Sequence, residues 1–170
     1  MVVIVFGLPG SGKSYFAERL GKKLNADYVN SDRVRMEMIP VRTYSEQEKA
    51  VVYNVMLEKM KEAIKQKKSI VLDATFHSSK TRKLITKDIK GKEGICFIEI
   101  TADENLTRQR LKRQRAYSDA DFEVYKLIRR HWEPLNEPHL ILESTDENID
   151  SMLQKAAAYL EMKDDTRTNK

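Results

Sequence analysis

The stretch VVIVFGLPGSGKSYF, residues 2–16, decides how this chain is read. An apolar run leads into a loop holding Gly7, Gly10 and Gly12, half of the six glycines in the sequence, followed directly by Lys13 and Ser14. Gly7, Gly12, Lys13 and Ser14 satisfy the pattern G-x-x-x-x-G-K-[ST] in the context it requires, because KSYFAERLGKKL continues with helical periodicity. A plain tight turn would account for the glycines but not for the ammonium and hydroxyl behind them. Glycines let the backbone curl so that successive N–H groups face inward as an anion nest, with no Cβ in the way of a phosphate. Lys13 then brings a point charge to the β- and γ-phosphates, Ser14 offers its hydroxyl to Mg2+, and the helix start adds partial positive charge. Pro9 has no N–H and shapes the loop without donating. The expected ligand is ATP or GTP with magnesium, and the lack of an N-K-x-D guanine motif favours ATP.

Working outward, short apolar runs recur at 2–6, 27–30 (DYVN), 69–74 (SIVLDA), 95–100 (ICFIEI) and 139–142 (HLIL), each the length of a buried strand. Helical patterns lie between them. The clearest runs from Glu46 to Lys67, with Val52, Met56, Met60, Ala63 and Ile64 on one stripe. This alternation predicts an α/β domain with a mostly parallel sheet and helices on both faces. A chain of 170 residues suits one domain, placed over 1–163 with a frayed tail from 164 to 170. No apolar run approaches the roughly 18 residues of a membrane span. The chain starts on a strand-like run with no signal-peptide features, and its single cysteine, Cys96, cannot form an internal disulfide. A cytoplasmic location is expected. The net charge of +5 implies attraction to anions without naming one.

A phosphate loop alone does not separate a kinase from a switch, and three further stretches bear on that question. YVNSDRVRMEM puts Asp32 at the carboxyl edge of the second strand, where ligands of open α/β sheets collect, with Arg35 one helical turn on. Asp32 can take a proton from an acceptor hydroxyl while Arg35 clamps an anionic part of the acceptor. The competing reading is that Ser31 or Asp32 merely caps the helix. SIVLDATF ends in Asp73 and Thr75, and an acidic strand end beside a phosphate loop commonly holds magnesium, often through water. Arg82, from the following helix, is expected to reach the same cleft. RQRLKRQR, from Arg108 to Arg115, carries arginines that cannot all share one helix face. Arg110 and Arg113 are i, i+3 neighbours suited to a closing lid, at about 103–131, that stabilises a phosphoryl transition state. His77, His131 and His139 show no metal-ligand spacing. Trp132 and Tyr125 are read as core aromatics, and Met36, Met38, Met56 and Met60 as core filling in preference to an acceptor pocket.

GLPGSGKS, the aspartate-x-x-arginine of Asp32 and Arg35, VLDAT, RLKR and the SDADFEVY segment leading into WEPL resemble the phosphate-loop kinases of the polynucleotide-kinase and zeta-toxin-like group. Gluconate kinases and chloramphenicol phosphotransferases are more distant relatives of that group. The resemblance implies a five-stranded sheet of order 2-3-1-4-5 and an arginine-bearing lid. It also implies an adenine site near Ser144 and Thr145, with Asp32 as general base, Arg35 on the acceptor's phosphate, and Arg110 or Arg113 on the donor phosphates. Gln109 stands where a common lid pattern has a second arginine, four positions before Arg113. The donor site expected from all this is Gly7, Pro9, Gly10, Ser11, Gly12, Lys13, Ser14, Tyr15, Arg108, Ser144 and Thr145. Ser14 and Asp73 attend the metal, and Arg35, Thr75 and Arg82 the acceptor. The expected activity is ATP-dependent phosphoryl transfer, preferably to a 5′-hydroxyl of RNA or DNA. The alternatives are a sugar, antibiotic or nucleotide-sugar acceptor, or a non-catalytic ATP-binding module.

Overall fold

The structure, a computed structural model, describes residues 1–87, 94–113 and 117–168, with the side chains of 166–168 excepted. Five strands, β1 (Val2–Phe6), β2 (Asp27–Asn30), β3 (Ile70–Asp73), β4 (Ile95–Thr101) and β5 (Leu140–Glu143), form one sheet. All four pairings are parallel and the order is β2-β3-β1-β4-β5, as the family resemblance implies. β1 lies at the centre and is buried along its whole length, which is why its sequence is apolar without alternation. Ile4 and Phe6 face one core with Val52, Met56, Met60, Leu72 and Phe76. Val3 and Val5 face the other with Phe16, Leu20, Ile98, Met152 and Leu160. The alternation of one strand between two cores is the direct cause of helices on both faces.

The helices are α1 (Lys13–Lys23), α2 (Ser31–Met38), α3 (Glu46–Lys65), α4 (Ser79–Thr86), α5 (Glu104–Leu111), α6 (Phe122–Arg130) and α7 (Ile149–Thr168). α3 buries Val52, Met56, Met60 and Ala63, as its stripe predicts, but Ile64 lies on the solvent side. The methionines divide accordingly, Met56 and Met60 being fully buried and Met36 and Met38 exposed. Trp132 stacks on Phe6, with ring centroids 6.0 Å apart, and Tyr125 is buried, so both aromatics serve packing. α7 continues to Thr168, past the boundary set at 163, because Met152, Ala156 and Leu160 dock it along the sheet. The tail expected from 164 is thus helical to 168, and residues 169 and 170 lie outside the described residues. Among the described residues no helix is long and apolar enough to cross a membrane.

Register places the functional ends. Val5 and Asn30 both pair with Asp73, so three strand ends stand level at the carboxyl edge. On the other side Thr101 pairs with Glu143, and the Ser144 N–H donates to the Thr101 carbonyl at 2.8 Å, which brings the turn after β5 to the same edge.

Candidate active site

The phosphate loop is built on three positive-φ glycines, Gly7 at 153°, Gly10 at 80° and Gly12 at 88°. Each is also hemmed in. A Cβ on Gly7 would sit 2.3 Å from the Ile100 carbonyl oxygen, and one on Gly12 would sit 2.7 Å from Ser144 Oγ. Pro9 and Ser11 are buried beneath the loop, and the Ser11 N–H closes a turn on the Leu8 carbonyl at 3.2 Å. α1 begins at Gly12 with no side-chain cap, whereas Asn30, Ser45, Ser78, Asp103 and Asp121 cap α2 to α6 in turn. The first N–H groups of α1 therefore stay available, which is the physical requirement for holding a phosphate there. Gly10, Gly12, Lys13, Ser14 and Tyr15 all line a cleft of about 610 Å3.

Behind the loop, Asp73 is fully buried. Its Oδ2 accepts from the Tyr28 hydroxyl at 2.8 Å and from Asn30 Nδ2 at 2.5 Å, and the same amide reaches Ser14 Oγ at 3.3 Å. Burial pushes the Asp73 carboxyl up, and the Lys13 ammonium with the Asn30, Ser14 and Tyr28 side chains counters this. Burial beside that carboxylate pushes the Tyr28 phenol well up, so it serves as a donor. Asp73 Oδ1 has no hydrogen-bond partner among the described residues, although it is inaccessible to solvent. An orphaned buried carboxylate oxygen beside a serine hydroxyl is the oxygen donor set a hydrated magnesium ion needs, so Ser14 and Asp73 fit that ion.

On the acceptor side, α2 is capped by Asn30, whose Oδ1 accepts from the N–H groups of Asp32 and Arg33 at 3.0 and 2.9 Å. Capping falls to Asn30, one residue earlier than the competing reading supposed, and the Asp32 carboxylate is left to face the cleft. Arg35 departs from expectation. It is buried, with Nη1 2.9 Å from Asp32 Oδ1 and Nε 2.8 Å from Glu48 Oε1. Glu48 in turn takes the N–H groups of Thr43 and Tyr44 at 2.6 and 2.9 Å. Arg35 is thus spent on orienting Asp32 and does not offer a free guanidinium to an anionic acceptor. Arg33 pairs with Glu18 at 3.0 Å, with its guanidinium 5.2 and 4.7 Å from the Tyr28 and Tyr117 ring centroids. Arg42 pairs with Asp119 at 3.1 Å, and the Tyr44 hydroxyl donates to the same carboxylate at 2.6 Å.

The lid arginines separate by position. Arg110 and Arg113 line the cleft. Arg110 donates to Ser144 Oγ at 2.7 Å and pairs with Asp146 at 3.0 Å, which aims it across the phosphate loop. Arg108 points away, over the Phe122 ring at 4.1 Å and toward Glu104, and Arg115 lies outside the described residues. Ser144 and Thr145 line the cleft as expected. Thr75 and Arg82 do not. Arg82 is buried and donates to the carbonyls of Phe76 at 2.8 Å and of Glu133 and Pro134 at 2.7 and 3.2 Å, so it ties α4 to the segment after α6. Sequence reasoning passed over Tyr28, Asn30, Arg33 and Glu18. Of these only Asn30, a polar residue ending an apolar strand two places before Asp32, carried a local signal.

A glycine loop, an uncapped helix behind it and a buried carboxylate on the neighbouring strand define a P-loop domain built to receive a nucleotide's phosphates. The chain belongs to the AAA domain family, whose model matches residues 2–135. No curated protein sequence matches it. Among solved structures, a gluconokinase from Sinorhizobium meliloti is similar with a TM-score of 0.75 at 12% identity, over 99% of this chain and 96% of that one. A sugar kinase from a Janibacter species is similar with a TM-score of 0.72 at 14% identity, over 94% of each chain. Chaetomium thermophilum Kti12 in complex with ADP-AlF3 is similar with a TM-score of 0.68 at 18% identity, over 93% of this chain and 98% of that one. These likenesses are to the fold.

Proposed function

We propose that this protein is an ATP-dependent phosphotransferase that moves the γ-phosphoryl group to a hydroxyl of a small, uncharged acceptor. The observation that carries this reading is the Asp32 carboxylate, relieved of capping by Asn30 and facing the same cleft as Lys13. Asp32 takes the proton of the acceptor hydroxyl as its oxygen forms the bond to the γ-phosphorus, and the bond to the bridging oxygen breaks to release ADP. Lys13 and the α1 N–H groups hold the donor phosphates, and Arg110 and Arg113 meet the charge that spreads over the transferring group. Ser14 and Asp73 would hold Mg2+, which neutralises phosphate charge when bound.

The preference for a nucleic-acid 5′-hydroxyl rests on Arg35 meeting a phosphate and on the basic balance of the chain. With Arg35, Arg33 and Arg42 each paired to a carboxylate, none of the three stands ready to meet an acceptor phosphate, which better suits a neutral polyhydroxy compound. The sugar kinase of similar fold is consistent with such an acceptor.

The test is ADP formation measured against neutral sugars and polyols, sugar phosphates and 5′-hydroxyl oligonucleotides. Turnover on a neutral compound is expected. Asp32→Asn should then lower kcat by about 10²–10⁴-fold and keep ATP affinity. Turnover confined to oligonucleotides would overturn the acceptor class, and full activity in Asp32→Asn would overturn the mechanism.

A further inference from the structure

β2 contributes two side chains that the phosphate-loop pattern does not specify, and both end on one oxygen of Asp73. The Tyr28 hydroxyl and the Asn30 amide approach Oδ2 at 2.8 and 2.5 Å, while Oδ1 of the same buried carboxylate has no partner among the described residues. The asymmetry is built by register, since Asn30 stands opposite Asp73 and Tyr28 opposite Val71, so both side chains leave β2 on the face that carries Ser14. Two donors on one oxygen fix the rotation of a carboxylate as well as its place. The Tyr28 ring also carries the Arg33 guanidinium, which lies over the Tyr117 ring as well.

We propose that Tyr28 and Asn30 are positioning residues that lock the Asp73 carboxylate through Oδ2 and reserve Oδ1 for the magnesium ion that accompanies the nucleotide. The proposal rests on the nucleotide–magnesium reading given above. It goes beyond that reading by assigning metal affinity to two residues of a strand outside the phosphate-loop motif, which meet that motif at Ser14. Asn30 is shared between two tasks, its carbonyl oxygen capping α2 and its amide holding Asp73, so the acceptor-side Asp32 and the metal-side Asp73 are set by opposite ends of one side chain.

Two variants separate these tasks. Tyr28→Phe removes one donor and keeps the ring under Arg33. Asn30→Ser removes the other and keeps an oxygen that is among the best helix caps. ATP binding is measured by calorimetry with Mg2+ and again in EDTA, with no acceptor present, so the result does not depend on turnover. In each variant the gain in ATP affinity that Mg2+ brings to the wild-type protein should shrink by about tenfold or more, while the affinity in EDTA stays within about twofold. Equal losses with and without Mg2+ would show a merely structural role and overturn the inference, as would a full Mg2+ gain in both variants. A wild-type protein that binds ATP equally well in EDTA would overturn the metal reading and this inference with it.

Discussion

Gly12 carries two constraints at one position. Its φ of 88° suits glycine, and a Cβ there would press on Ser144 Oγ at 2.7 Å and on Arg110 Nη1 at 3.2 Å. Gly12→Ala should therefore cost about 1–2 kcal/mol of stability from the backbone alone. It should also abolish measurable ATP binding by displacing Arg110, checked by urea titration beside calorimetry. The lid arginines are distinguished by the same kind of reasoning. Arg110 is held over the loop by Ser144 and Asp146, whereas Arg108 lies on Phe122. Arg110→Ala should lower kcat by about 10²–10³-fold, and Arg108→Ala should leave it within about twofold, in steady-state assays on whichever acceptor the ADP-formation screen finds. Spacing alone does not say which lid arginine acts, because that depends on where the turn after β5 meets α5.

At the scale of elements, α3 is joined to the acceptor site through its own cap. Ser45 Oγ accepts from the Glu48 N–H at 3.2 Å, and the Glu48 carboxylate reaches back to the Thr43 and Tyr44 N–H groups while holding Arg35. Burial raises the Glu48 carboxyl, but the Thr43 and Tyr44 donors and Arg35 outweigh it, so its pKa lies below the ordinary 4.5. A carboxyl with a depressed folded pKa adds stability above its unfolded value and loses it as pH falls through the folded one. The wild-type protein should thus lose stability as pH drops below about 4.5, whereas Glu48→Gln should be weaker at pH 7 and flatter over that acid range. Urea midpoints at both pH values check this. Arg82 ties α4 in a different way, by meeting three carbonyls. Arg82→Met should lower stability by about 1–3 kcal/mol and leave ATP affinity unchanged, read from melting and calorimetry. A selective loss of turnover without loss of stability would return Arg82 to the acceptor site.

Over the whole molecule, the cleft gathers groups from β2, α1, α2, the lid segment and the turn after β5, so a bound nucleotide should brace elements that are far apart in the chain. At about one hundred times its dissociation constant, ATP with Mg2+ should add about 2.7 kcal/mol, which for a domain of this size raises Tm by roughly 5–10 °C in a thermal melt. Most of the architecture was legible without coordinates. All five strands fall within a residue of their apolar runs, and the loop's positive-φ glycines stand where the motif puts them, because a phosphate nest requires specific residue types at contiguous positions. The acceptor side was not legible in the same way. Arg35 looked like an anion clamp because Glu48, its buried partner, lies on another helix. Tyr28 looked like an ordinary strand residue because its contact with Asp73 crosses 45 positions of sequence. By itself the sequence determined the sheet and the phosphate loop, since each rests on local backbone geometry and short-range periodicity. Only the tertiary structure decided which carboxylates the arginines meet, because pairing depends on the distance between charges that the fold alone brings together.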